Sequence, residues 1–172
     1  MKIFVINPGS TSTKIALYEN EESLWVENIH HTADELSLYG SVNEQYDFRK
    51  QRIFQALTKA SIPLAFDAVI ARGGLLYPTP GGVYRINERM KYDLLHARME
   101  HACNLGGLLA DELAKEIGCP AFIADPEVVD EFQEKSRLTG IPEIERISIF
   151  HALNSKAVSR KYALSRGCTY ED

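Results

Sequence analysis

The chain has 172 residues, 45% of them hydrophobic and 25% charged, the composition of a soluble globular protein with one substantial core and, by default, one domain. Its formal net charge of −5, with basic residues scattered among acidic ones, excludes a general nucleic-acid surface, and no apolar run approaches the ~20 residues of a membrane span. Cys103, Cys119 and Cys168 are odd in number and far apart, which argues for free thiols in a reducing cytoplasm instead of a disulfide framework or zinc site, and the N-terminus lacks a signal-peptide pattern.

The first stretch, Met1 to Tyr18, predicts a hairpin. Ile3 to Ile6 is an apolar, β-prone run, and Asn7-Pro8-Gly9 is turn chemistry at its end. From Lys14 to Tyr18 the apolar residues follow the period of a strand. A Walker loop needs a glycine before its lysine and a helix after it; here Thr13 precedes Lys14 and a strand follows. What remains is Gly9 followed by Ser10, Thr11, Ser12 and Thr13, whose N–H and hydroxyl groups can converge on an anion. Taken alone, the pattern is also that of an ordinary hydroxyl-rich turn, which is the commoner case.

Ser23 to His31 predicts a third strand with His30 and His31 at its exposed end. From about Glu44 to Ala60, Tyr46, Lys50, Ile53, Phe54, Leu57 and Ala60 have helical spacing, with Arg49, Arg52 and Lys59 facing elsewhere. Ala68 to Ala71 is a fourth strand ending in Arg72-Gly73-Gly74, followed by a loop rich in Pro and Gly from Tyr77 to Gly82. Asn87 is an N-cap for a helix to roughly Arg98. A longer helix, about Leu105 to Ile117, carries one leucine stripe and stops at Gly118 and Pro120. Ala121 to Ala124 is a fifth strand ending in Asp125-Pro126. After a less regular charged stretch, Phe150, Leu153, Ala157 and Leu164 mark a last helix that stops at Gly167.

Three apolar runs therefore end in a polar residue: Asn7, Arg72 and Asp125. Such runs, separated by helices, belong in a parallel sheet, and ligands bind beyond the carboxyl ends of its strands. One crevice would then receive all three side chains. Individually each has a plainer role, as a turn Asn, a surface-paired Arg and a helix-capping Asp.

The motifs NPGSTSTKIALY (Asn7 to Tyr18), ARGG (Ala71 to Gly74), EHACNLGG (Glu100 to Gly107) and FHALNSKAV (Phe150 to Val158) together resemble the acetate and butyrate kinases, in the superfamily of actin, the sugar kinases and the heat-shock ATPases. The resemblance covers nearly the whole chain. It implies a ribonuclease H-like (actin-like ATPase) α/β domain, with a five-stranded mixed sheet, an N-terminal hairpin and flanking helices. Two departures matter. Arg72 stands where the acetate branch has a His before the paired glycines, and Ala152-Leu153-Asn154-Ser155 replaces its Gly-Thr-Ser-His run, which favours a longer acyl chain than acetate. Family members are also about twice this length, so the resemblance implies a single N-terminal domain over residues 1–172, without the C-terminal nucleotide domain and inactive alone.

The activity implied is reversible phosphoryl transfer between ATP and a short-chain carboxylate such as butyrate, giving an acyl phosphate and ADP, in a cytoplasmic protein that is a homo-oligomer at full length, with no nucleic-acid or membrane partner. A carboxylate is already ionised at neutral pH, so positive charge and N–H donors must dominate the site. Arg72 offers a planar fork for carboxylate or phosphate oxygens, with Gly73 and Gly74 beside it as substrate-binding residues, and His101 and His151 donate to the transferring group. Asn7, Gly9, Ser10, Thr11, Ser12 and Lys14 are assigned to phosphate binding, Lys14 lying either there or in solvent. Asn7 and Asp125 suit magnesium, directly or through water, and Asp125 alternatively the orientation of an Arg. The plainer roles are a surface or capping position for His101 and a core position for His151. Another actin-fold phosphotransferase or phosphohydrolase, such as an acetate or propionate kinase, and a non-catalytic anion-binding module remain the alternatives.

Overall fold

A computed structural model describes residues 1–124, 126–149 and 152–171. The chain opens with three strands in antiparallel succession, β1 (Lys2–Pro8), β2 (Ser12–Glu19) and β3 (Glu22–His30). A short helix, α1 (Ala33–Ser37), starts at Thr32, whose hydroxyl accepts from Glu35 N while the Glu35 carboxylate accepts from Thr32 N, closing a capping box. A 3-10 turn at Asn43–Gln45 leads into α2 (Tyr46–Lys59). Then come β4 (Ala68–Arg72), β5 (Val83–Arg85), α3 (Glu88–Leu95), α4 (Asn104–Ile117), β6 (Ala121–Ala124), α5 (Glu134–Arg137) and α6 (Ala152–Arg166). Asn87 caps α3 as expected, its Oδ1 accepting from Met90 N at 2.9 Å. Gly118 and Gly167 follow α4 and α6 with φ of 82° and 71°, the left-handed conformation that glycine adopts at low cost.

The sheet order is β3-β2-β1-β4-β6-β5, with β1, β4 and β6 mutually parallel. The described residues thus hold six strands, one more than the sequence predicts. β5 pairs antiparallel with β6 as an edge strand. Its three residues are too few for a period to register, so the sequence shows only the end of a proline-rich loop there.

Phe4, Ile6, Ile15, Leu17, Val69, Ala71 and Ile123 form the buried face of the sheet, covered by Ile53, Ala56 and Leu57 of α2 and by Leu105, Leu109, Ala110 and Leu113 of α4. Full burial of each large aliphatic side chain contributes roughly 1.5–3 kcal/mol. α3 packs on α4, where Leu94 is buried. α6 differs. Its predicted apolar stripe includes Leu164, which is exposed, and Ala163 is the buried residue among its described side chains. Among the described residues, no helix is long and apolar enough to cross a membrane.

Candidate active site

Ile6 of β1 pairs with Ala71 of β4, so Asn7 and Arg72 are the next residues of adjacent parallel strands. Since successive side chains alternate between faces, both project from the face opposite α2 and α4. Lys14, the cross-strand partner of Asn7, shares that face. Asn7 is half-buried and its carboxamide has no hydrogen-bond partner among the described residues; Lys14 is exposed and likewise unpaired among them. Asp125 and His151, expected to complete this site, lie outside the described residues, as does Phe150.

Between β1 and β2 the loop folds tightly, with Gly9 N donating to Ser12 O at 2.7 Å. Beneath it lies Arg49, fully buried. Its Nη1 donates to Gly9 O (2.9 Å), Ser12 O (3.2 Å) and Thr13 Oγ1 (3.1 Å), and its Nη2 donates to Ser10 O (3.1 Å). Nε and Nη2 also donate to Gln45 Oε1, at 3.1 and 2.9 Å. Burial lowers the Arg49 pKa to about 10, which leaves it cationic at neutral pH. The sequence places Arg49 on the outer face of α2. The structure turns it inward, because it stands four residues before Ile53 on the buried stripe and finds acceptors for every N–H.

His31 is a second correction, buried instead of exposed at the end of β3. Its backbone N–H donates to Thr11 O (2.9 Å), its Nε2 lies 2.9 Å from Thr13 Oγ1, and its ring meets Phe48 edge-on. Burial first, and then the neighbouring charge of Arg49, lower its pKa to about 4, so the ring is neutral at pH 7.

At the end of β4, Arg72 Nη2 lies 3.2 Å from Glu127 Oε1. The Glu127 side chain is only 7% exposed, and neither of its oxygens has a hydrogen-bond partner among the described residues. The ion pair with Arg72 therefore compensates a carboxylate that burial would otherwise penalise by several kcal/mol, roughly. Glu127 also lies close enough to Cys103 that burial, with this carboxylate behind it, raises the thiol to about 12. Cys103 in turn contacts His101: Sγ is 2.8 Å from Nδ1, and the Cys103 N–H donates to Nδ1 at 3.3 Å. Arg72 thus pairs with Glu127, and Cys103 with His101. His101 itself is exposed, in the break between α3 and α4 as the sequence indicates. With Nδ1 accepting, a neutral ring carries its proton on Nε2.

Gly73 and Gly74 are both buried. A Cβ on Gly73 would fall 2.3 Å from Pro126 Cβ, and one on Gly74 would fall 2.5 Å from Leu94 Cδ2 and 2.8 Å from Asn104 Cα. Protein atoms, then, occupy the space that these glycines leave. Asn104 fixes the following turn, its Oδ1 accepting from Leu75 N (2.9 Å) and its Nδ2 donating to Met99 O (3.1 Å). Arg49, Glu127, Cys103 and Asn104 are the contributors that sequence reasoning passes over. The available signals were a charged residue at a core-spaced helix position for Arg49, and for Glu127 a carboxylate two residues beyond a strand-ending Asp.

No family model matches the chain. It is 72% identical over 172 residues to a protein named probable butyrate kinase from Phocaeicola vulgatus, covering 100% of this chain and 49% of that one. It is 48% identical over 173 residues to butyrate kinase 1 of Clostridium acetobutylicum, covering 99% and 49%. Among solved structures it resembles the acetate kinase of Porphyromonas gingivalis, with a TM-score of 0.62 at 14% identity, over 98% of this chain and 50% of that one. That likeness shows the fold, the actin-like ATPase fold expected from the motifs. The chain spans about half the length of the curated relatives it matches.

Proposed function

We propose, from the premise that the chain belongs to the acetate and butyrate kinase family, that it carries the phosphate-cradling and acyl-acceptor side of a cytoplasmic carboxylate kinase. The reaction would be reversible transfer of a phosphoryl group from ATP to butyrate or a similar short-chain fatty acid, giving an acyl phosphate and ADP. Identity to proteins named butyrate kinase along the entire chain carries this reading. The geometry supports it, with Asn7 and Arg72 at adjacent strand ends on one face.

Phosphoryl transfer to a carboxylate needs no base, since the acceptor is ionised; the barrier lies in bringing two anions together. Arg72, partly exposed and backed by Glu127, presents a fork for the acceptor carboxylate or the transferring group. Gly73 and Gly74 let the chain turn closely against Pro126 and Asn104, which fixes where that fork sits. His101, accepting through Nδ1, turns an Nε2–H donor outward, and His151 is assigned a second donor. Lys14 and the Gly9–Ser12 loop face the phosphates. A magnesium ion would neutralise phosphate charge there, held by Asn7 and Asp125. The unpartnered carboxamide oxygen of Asn7 fits a hard cation that takes one or two protein oxygens and completes its shell with phosphate and water.

The test fuses the 172-residue chain to the portion of the 72%-identical relative that it does not cover, and measures butyryl phosphate formed from butyrate and magnesium-ATP. Arg72→Ala should weaken butyrate use by ~2–5 kcal/mol, and Arg72→Lys should restore little of it. A fusion that turns over acetate but not butyrate would reassign the substrate, and unchanged kinetics in both variants would remove Arg72 from the site.

A further inference from the structure

The Gly9–Thr13 loop displays an asymmetry. The carbonyls of Gly9, Ser10 and Ser12 and the Thr13 hydroxyl all accept from one buried guanidinium, and Thr11 O accepts from the His31 N–H. The acceptors of the loop are thereby drawn inward. By contrast, the N–H groups of Ser10 and Thr11 have no partner among the described residues, and both residues are exposed. A peptide unit whose C=O points inward turns the N–H of the same unit outward. Nor is the guanidinium neutralised nearby: among the described residues no carboxylate pairs with Arg49, the contacts to its side chain being to neutral oxygens.

We propose that Arg49 is a positioning residue that builds the anion-binding face of the Gly9–Thr13 loop, holding the loop carbonyls inward so that the Ser10 and Thr11 N–H groups present outward to a phosphate oxyanion. This rests on reading the loop as the phosphate cradle of a kinase. A buried cation is costly unless its donors are satisfied, and here the loop satisfies them, so the loop conformation and the buried charge stabilise each other. The uncompensated positive charge lies immediately behind the N–H donors, where a low dielectric preserves its attraction for an anion. Lysine could supply the charge but not the fork, since three donors on one nitrogen cannot span four separated loop acceptors and Gln45.

The experiment uses the 172-residue chain labelled with nitrogen-15, as wild type, Arg49→Lys and Arg49→Met, with Gln45→Ala as a milder variant that loosens the guanidinium without removing it. The first readout is ligand-free: amide shifts and fast-motion order of Ser10, Thr11, Ser12 and Thr13, set against Val69 and Ile123 in the core. Arg49→Lys should disorder the loop amides and leave the core amides in place, with Gln45→Ala moving the same signals by less. Should Arg49→Met fail to fold, the lysine and Gln45 variants still decide the matter. A loop that keeps its shifts and order in Arg49→Lys and Gln45→Ala overturns the proposal. The second readout is titration with inorganic phosphate: the wild-type Ser10 and Thr11 amides should shift, with affinity falling about tenfold or more in Arg49→Lys. Loop disorder in Arg49→Lys without any phosphate response in wild type would uphold Arg49 as the organiser of the loop and overturn the reading of that loop as a phosphate cradle.

Discussion

Two contacts from one residue meet on Nδ1 of His101: the backbone N–H of Cys103 donates to it and the thiol lies 2.8 Å away. Because the thiol is raised to about 12, it remains protonated and able to donate. We therefore expect His101 to be observed as the Nε2–H tautomer by the nitrogen-15 signals of its ring. Cys103→Ala removes the thiol and should convert this into a mixture of tautomers while the melt stays cooperative. A predominant Nδ1–H form in the wild type would remove the assigned donor from the outward side. His31 gives a prediction of a different kind. Its folded pKa of about 4 lies below the ordinary 6.5, so between these values the unfolded chain binds a proton that the native state refuses. Stability is therefore undiminished by this group above pH 6.5 and falls as pH drops toward 4, by roughly 2–3 kcal/mol. Denaturant unfolding at pH 7 and pH 4.5 should show that loss in the wild type and a smaller one in His31→Asn. Equal losses in the two proteins would assign the pH dependence to other groups.

Among the elements, the strand ends, which bring Asn7 and Arg72 side by side, were the most legible part of the chain. β1, β4 and β6 each announce themselves by a short apolar run closed by a polar residue, and the helical period over α2 and the leucine stripe of α4 place the covering layer. β5 was not legible, being three residues long on the sheet edge. α1 has a Thr32–Glu35 capping box but only five residues, too few for a stripe. In the candidate site, Arg72 and the hairpin loop could be read from the sequence because their neighbours spell turns. Arg49 and Glu127 could not, since their importance arises from pairing across long sequence separations, which pattern and period do not record. The glycine pair after β4 is an element-scale device, and Gly73→Ala tests it. With the added carbon 2.3 Å from Pro126 Cβ and 2.6 Å from Ile123 Cγ2, the β4 and β6 ends must separate, which costs ~1–3 kcal/mol. A lower midpoint with an unchanged denaturant slope is expected. An unchanged midpoint would mean that the two strand ends yield freely.

Across the whole molecule, burial is unevenly distributed. The sheet and its α2 and α4 cover contain nearly all of the large buried side chains, and Arg49 ties α2 to the β1–β2 loop in the same body. α6 stands apart: Val158, Tyr162 and Leu164 are 60%, 62% and 79% exposed, and Ala163 is its buried contribution among the described side chains. Helix propensity alone holds a 15-residue segment only marginally in water. The amides of α6 should therefore exchange with solvent at a small fraction of the global unfolding free energy, while those of Ile6, Val69 and Leu109 exchange near its full value. In the fusion that has the length of the relatives, these exposed apolar side chains have further chain available to cover them, so α6 protection should rise well above its value in the 172-residue chain. Hydrogen exchange on both proteins measures the difference. Equal and high protection in the two would show that α6 is already docked on this domain, and equal and low protection would show that its exposed apolar side chains stay uncovered in the fusion as well.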